Sequence, residues 1–230
     1  MFRNISGLLA CLAALSMLVC GSMASAGAQK DYSNQEKLVE DATNTFNALI
    51  RDPAMGWVRS NLKKAKGIFI IPQSLKGGFM FGAEGGSGLV LTRDDKTGHW
   101  SYPAFYTMGS VSFGFQIGGQ ASEIILLVMT QKGMDALLSP SFKLGADVSI
   151  AAGPLGGGAA AQTADILAFA KSKGAFGGIS IQGAVITSRD KWNKAYYGRS
   201  ARAVDILIRH AVRNSHADRL REAVTAHAKP

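Results

Sequence analysis

The chain has 230 residues, 27 of them glycine, and a formal net charge of +9 from 25 Lys and Arg against 16 Asp and Glu. That length suits one domain with a core of its own. Both cysteines, Cys11 and Cys20, stand near the N-terminus, which excludes a disulfide framework, a thiolate nucleophile and a Cys-ligated metal from the remainder.

Arg3, an apolar run over residues 8–19 and the small-residue site Ala24-Ser25-Ala26 follow the order of a secretory signal. Residues 1–26 are therefore expected to be cleaved, leaving 27–230 as a single domain that is exported to the periplasm or secreted. The apolar run is too short to span a bilayer comfortably. Val19 is larger than the residue that precedes the cysteine in lipobox patterns, which argues against a lipid anchor at Cys20.

Residues 27–66 carry seven Lys/Arg against five Asp/Glu, residues 67–188 seven against seven, and residues 189–230 ten against four. A neutral body with basic ends suits an anionic partner, and for an exported protein lipid headgroups or envelope polymers are favoured over nucleic acid.

Ser33-Asn34-Gln35-Glu36 has the pattern of a capping box, and Leu38, Ala42, Phe46 and Leu49 after it fall on one helical stripe. Arg51-Asp52-Pro53 ends that helix. A second helical piece over 54–65 offers Trp57, Val58 and Leu62 to the core and finishes in Lys63, Lys64 and Lys66. Ile68-Phe69-Ile70-Ile71 then reads as a strand buried on both faces and stopped by Pro72.

Residues 77–92, GGFMFGAEGGSGLVLT, raise three possibilities: a phosphate loop, the wall of a membrane barrel, or sheet in a soluble domain. Gly82, Gly85 and Gly88 lack the G-x-G-x-x-G order, and Leu89-Val90-Leu91 continues as strand where a nucleotide fold needs a helix. The run 153–158 lacks the Lys-Ser/Thr ending of a P-loop. Helices at both ends and doubly apolar strands speak against an outer-membrane barrel. The glycines are then expected to serve the sheet, permitting bends, bulges and close backbone approach.

Alternation at period two over 110–117, over 142–150 and across Ile179, Ile181 and Val185 predicts half-buried antiparallel strands. Ile124 to Met129 is a further apolar run, and a short helix is predicted over Gln131 to Leu138. In the C-terminal region Ser200 is a candidate N-cap, and Val204, Leu207, Ile208 and Ala211 repeat at helical spacing. Arg202, Arg209 and Arg213 fall opposite that stripe. Ser215-x-x-Asp218 is expected to cap a last helix bearing Arg219, Arg221 and His227. The expected fold class is α+β: a strongly curved, glycine-rich antiparallel sheet, barrel-like or sandwich, flanked by N- and C-terminal helices.

No G-x-S-x-G elbow and no H-E-x-x-H spacing is present, so neither a hydrolase nor a zinc site is predicted. The acids Glu84, Glu123, Asp147 and Asp165 are scattered in the sequence, and a pair of them meeting in a cleft would revive a hydrolase. No catalytic residue, cofactor or metal is expected.

The order of several blocks resembles the SYLF domain family. These are Ala65-Lys66-Gly67-Ile68, Lys76-Gly77-Gly78-Phe79, Trp100-Ser101-x-Pro103-x-Phe105, Gly109-Ser110-x-Ser112, Leu144-Gly145-x-Asp147, Phe176-Gly177-Gly178 and Asn193-x-x-Tyr196-Tyr197-Gly198. The resemblance spans roughly residues 35–212 and implies a non-enzymatic lipid-binding domain. Eukaryotic members bind phosphoinositides and some fungal members bind actin, partners that an exported chain does not meet. Anionic phospholipid is the corresponding expectation, bound through Lys63, Lys64, Lys66 and Lys76 at the helix-to-strand entry and through Arg202, Arg209 and Arg213. A structural or envelope-stress protein that binds a protein or polymer through the same basic ends is the competing expectation.

Overall fold

A computed structural model describes residues 29–78, 81–113, 118–152, 163–172, 175–177 and 181–228. The signal segment, Phe115, Ile117, Ile179 and the run 153–158 lie outside them.

Helix α1 spans Gln29–Arg51, and a short 3-10 turn, Pro53–Met55, leads into α2, Gly56–Leu62. Strands β1 (Gly67–Gly78), β2 (Phe81–Thr92), β3 (Ala104–Phe113) and β4 (Gly118–Val128) follow as antiparallel neighbours in the spatial order β3-β2-β1-β4. Next come α3 (Gln131–Leu138), β5 (Ser141–Lys143), β6 (Ile150–Ala152), β7 (Ile166–Ser172), β8 (Ala175–Gly177) and β9 (Val185–Ser188). The chain finishes with α4 (Asp190–Tyr197), α5 (Ala203–Leu207) and α6 (Asp218–His227).

The strands join in one sheet ordered β5-β9-β3-β2-β1-β4-β7-β6, with β8 also on β7. Chain connectivity alone shows that this sheet must curl. Eight strands laid flat would put β5 and β6 about 34 Å apart at ~4.8 Å per strand. Residues 143 and 150, which end β5 and begin β6, are joined by a connection that reaches at most about 25 Å. The result is a half-barrel with helices from both ends of the chain.

The core lies in the halves of the long strands where both faces are covered. Ile68–Ile71, Leu89–Leu91, Ile124–Val128 and Ile166–Ala170 are buried without alternation, as strands sandwiched between two apolar layers should be. Val39, Ala42, Phe46 and Leu49 of α1 and Val58 and Leu62 of α2 are buried in the same core. Trp57 packs on Phe169 with ring centroids 5.3 Å apart. Asn193 on α4 accepts a hydrogen bond from the Phe105 amide at 2.8 Å, and Tyr196 meets the Phe105 ring at 5.0 Å.

The glycine-rich stretch answers to a bulge. The β1 register slips between Ile70 and Gln73 against β2 and between Ile71 and Ser74 against β4. Pro72 therefore marks the bulge, and β1 runs on to Gly78 where the sequence predicts an end; a proline without an N–H is tolerated at such a break in the ladder. Gly88 faces the irregularity so closely that a Cβ there would run into the Ile70 carbonyl oxygen and come within 2.7 Å of Phe69.

Other expectations need correction. The α1 backbone starts at Gln29, which puts Ser33 inside the helix and not at its cap. One strand pair, β6 with β7, is parallel, so the sheet is mixed. The alternating run 142–150 is split by a turn in which Gly145 takes φ +81° and the Lys143 amide donates to Asp147 at 2.7 Å. Asn214, not Ser215, caps the turn before α6, accepting from the His216 amide at 3.1 Å. α5 stops at Leu207, so Ile208 and Ala211 do not extend its apolar stripe.

Among the described residues, Asp165 makes its polar side-chain contacts with Thr130, Ser149 and Lys132, and none with a second carboxylate. It is buried where α3, the segment before β6 and β7 converge. Its carboxylate accepts from Thr130 Oγ1 at 2.5 Å and from the Ser149 amide and hydroxyl at 2.9 and 2.8 Å. Burial pushes the carboxyl up, but the hydrogen bonds from Thr130 and Ser149, helped by Lys132, outweigh it and hold it below the usual range. A depressed folded pKa contributes stability that is complete above the unfolded value near ~3.9 and is lost as pH falls through the folded one. Thermal melts are expected to show this acid loss below about pH 4, and Asp165→Asn to flatten it. Asp165→Ala, which strands its donors, should cost about 2 kcal/mol at neutral pH.

Candidate functional site

Three segments meet at the end of the sheet where β1 begins and β2 ends: the α2–β1 junction, the β2–β3 loop and residues 208–213. Backbone hydrogen bonds fix the first two, with Lys66 N donating to Val128 O and Arg93 N to Lys66 O, both at 2.8 Å. Arg93 Nη1 also donates to the Lys63 carbonyl at 2.6 Å. A cleft of about 200 Å³ between Lys66, Arg93, Asp94, Asp95, Leu207, Ile208 and His210 brings in the third.

A second cleft of about 400 Å³ continues from it, lined by Asp94, His99, Trp100, Tyr102, His210, Arg213 and Arg221. Tyr102 organises this part. Its hydroxyl donates to Asp218 at 2.7 Å and accepts from Arg213 Nε at 3.2 Å, while the Arg221 guanidinium lies over its ring, 4.1 Å from the centroid. Cation–π stacking of this kind holds an arginine without neutralising it. The Tyr102 hydrogen bond, then the charge of Asp218, push Arg213 above its ordinary range, so it stays cationic.

Of the seven predicted residues, Lys66 and Arg213 line these clefts, Lys63 and Lys64 belong to the junction that Arg93 holds, and Arg202 and Arg209 flank α5, whose last residue, Leu207, lines the first cleft. Lys63 and Lys64 are exposed, and Lys66 pairs with Asp95 at 2.6 Å. Arg202 and Arg209 share Asp205, at 3.7 and 2.8 Å, and Arg213 joins Tyr102. They do not form the helical stripe that the spacing predicts: Arg202 precedes α5, and Arg209 and Arg213 lie in the irregular segment after it. Lys76 is elsewhere. It sits ten residues further along β1, opposite Glu84 and Gln120, about 33 Å away at the rise of a strand.

Arg93, Arg221, His99 and His210 complete the site, against Asp94, Asp95, Asp205 and Asp218. Asp94 is held low by the Thr97 and Lys96 amides and Asp205 by the Arg202 amide, so these carboxylates are charged, yet cations outnumber them. Ile208 stands at the rim, 47% exposed. His210 takes φ +50°, the one non-glycine residue in left-handed backbone among the described residues, a conformation that recurs at functional sites. The sequence signal for Arg221 was its place on the last basic helix; nothing local marked Arg93.

Among the described residues no cluster of three or more His, Cys, Asp or Glu could hold a metal, and no helix is long and apolar enough to cross a membrane. Fold and site define an α+β domain built on a half-barrel with one cationic end.

A family model described as "Ysc84: Las17-binding protein actin regulator" matches residues 109–227, just over half of the 230-residue chain. LAS seventeen-binding protein 3 of Saccharomyces cerevisiae is 36% identical over 154 residues, 64% of this chain and 33% of that protein. SH3 domain-containing YSC84-like protein 1 of Homo sapiens is 32% identical over 167 residues, 70% of this chain and 48% of that protein. The chain thus spans half or less of the curated relatives it matches. It belongs to the Ysc84 family, the SYLF domain family that its motifs resemble.

Proposed function

We propose that the protein is a non-enzymatic, exported binding domain that docks reversibly on anionic phospholipid through its cationic end, on the periplasmic face of an envelope membrane. The observation that carries this reading is the pair of adjoining clefts lined by Lys66, Arg93, Arg213 and Arg221, with Ile208 exposed at the rim and Lys63 and Lys64 exposed on the segment that Arg93 holds. Basic side chains near an anionic bilayer contribute about 1 kcal/mol each, and an exposed aliphatic side chain among them suits the headgroup boundary. Several weak contacts give binding that salt reverses.

A second reading follows from the family description and from the yeast relative, both of which name Las17 as a bound protein. The same cationic end would then take an acidic segment of a protein partner. Competition separates the two. With a fluorescent acidic peptide as probe, the lipid reading expects weak peptide binding that phosphatidylglycerol vesicles displace. Tight peptide binding that such vesicles leave untouched would favour the protein partner and overturn the lipid reading.

A further inference from the structure

Beyond the bulge, β4, β1, β2, β3 and β9 carry a face with an unusual composition. Register puts Ala121, Leu75, Gly85, Gly109 and Val185 in one row across these strands. Gly119, Gly77, Ala83 and Val111 form the next row towards the hairpin tips. Register partners project to the same side of a sheet, as do residues two apart on a strand, so these side chains share one face. Leu75 is 57%, Val111 79% and Val185 42% exposed.

The pattern is inverted relative to a soluble sheet. The opposite face of the same strands carries Ser74, Ser122, Lys76, Glu84 and Ser110, with Ser74 fully buried and hydrogen-bonded to Glu84 at 3.0 Å. The apolar face is the one left open: a Cβ added at Gly77 or Gly109 would meet nothing within 4 Å.

We infer that this face is a second lipid-contacting surface, which enters the acyl boundary of a bilayer. Its area, five strands by about four residues, is on the order of 300 Å², less than half of the roughly 800 Å² per partner that a stable protein interface needs. From β4 to β9 its two rows carry only Gly, Ala, Leu and Val, which give a protein partner no polar group to orient on within them. Lys143, the register partner of Val185 at the edge, supplies a cation at headgroup level. The surface shares its lipid partner with the proposed function but none of its residues.

The test uses the protein as the producing cell processes it and phosphatidylcholine vesicles at about 0.5 M salt, where the Debye length is only a few ångströms and charge attraction is screened. Acyl-chain nitroxide lipids are expected to quench Val111→Trp well beyond the parent protein, whose three tryptophans serve as the baseline. Leu75→Asp combined with Val185→Asp should lower this salt-resistant binding at least tenfold, yet leave the salt-sensitive binding to anionic vesicles in place. No excess quenching would overturn the inference even if the cationic end binds lipid. Excess quenching without any preference for anionic vesicles would retain this surface and remove the proposed one. A spectral shift that needs protein concentration and no lipid would assign the face to a second copy of the chain, and so overturn it.

Discussion

Gly88→Ala is expected to lower stability by about 3 kcal/mol or more, at the upper end of overpacking costs. The added methyl would overlap the Ile70 carbonyl oxygen and crowd Phe69 and Ile71. Two of these neighbours are fixed by core packing, and the carbonyl belongs to the bulge, so the strand pair must move to admit one carbon. For a domain of this size the melting temperature should fall by roughly 10 °C. Gly77→Ala, eleven residues earlier in the same glycine-rich stretch, is the control: its Cβ meets nothing within 4 Å, and its melt should be unchanged within about 0.5 kcal/mol. Equal effects at the two positions would show that the glycines are not kept by the close approach of β1.

The triple charge reversal Lys63→Glu, Lys64→Glu and Arg213→Glu is expected to weaken binding to anionic vesicles at least about a hundredfold at low salt. Removing three contacts of about 1 kcal/mol each already accounts for that factor, and reversal adds repulsion. Lys63 and Lys64 are exposed, so their replacement should leave the fold intact. Arg213 holds Tyr102, so the double reversal without it separates lost lipid contact from a disturbed cleft. Lys76→Glu, about 33 Å away along β1, should have little effect, although the sequence groups it with the others.

Much of the architecture was legible in the chain. The helix Gln131–Leu138 has the predicted bounds, and the runs at Ile68–Ile71 and Ile124–Val128 are buried on both faces as their composition implies. Curvature and helical flanks were legible too. Alternation misled in a specific way: it reports that two faces differ, not which is covered. Val111 and Val185 alternate like core residues and are exposed, because the described helices cover the other halves of the strands. The turn at Gly145 was hidden because it preserves the apolar period on either side. Lys76 was misplaced because closeness in sequence means distance along an extended strand, whereas His210 reaches the Lys66 cleft and Arg213 reaches Tyr102 only through the fold.

The most direct test is co-sedimentation of the processed protein with phosphatidylcholine vesicles, with and without phosphatidylglycerol, at low and high salt. A strong preference for the anionic vesicles is expected at low salt, largely lost at high salt and with the Lys63/Lys64 reversal. Pelleting indifferent to lipid charge, or none on anionic vesicles at low salt, would contradict docking through the cationic end.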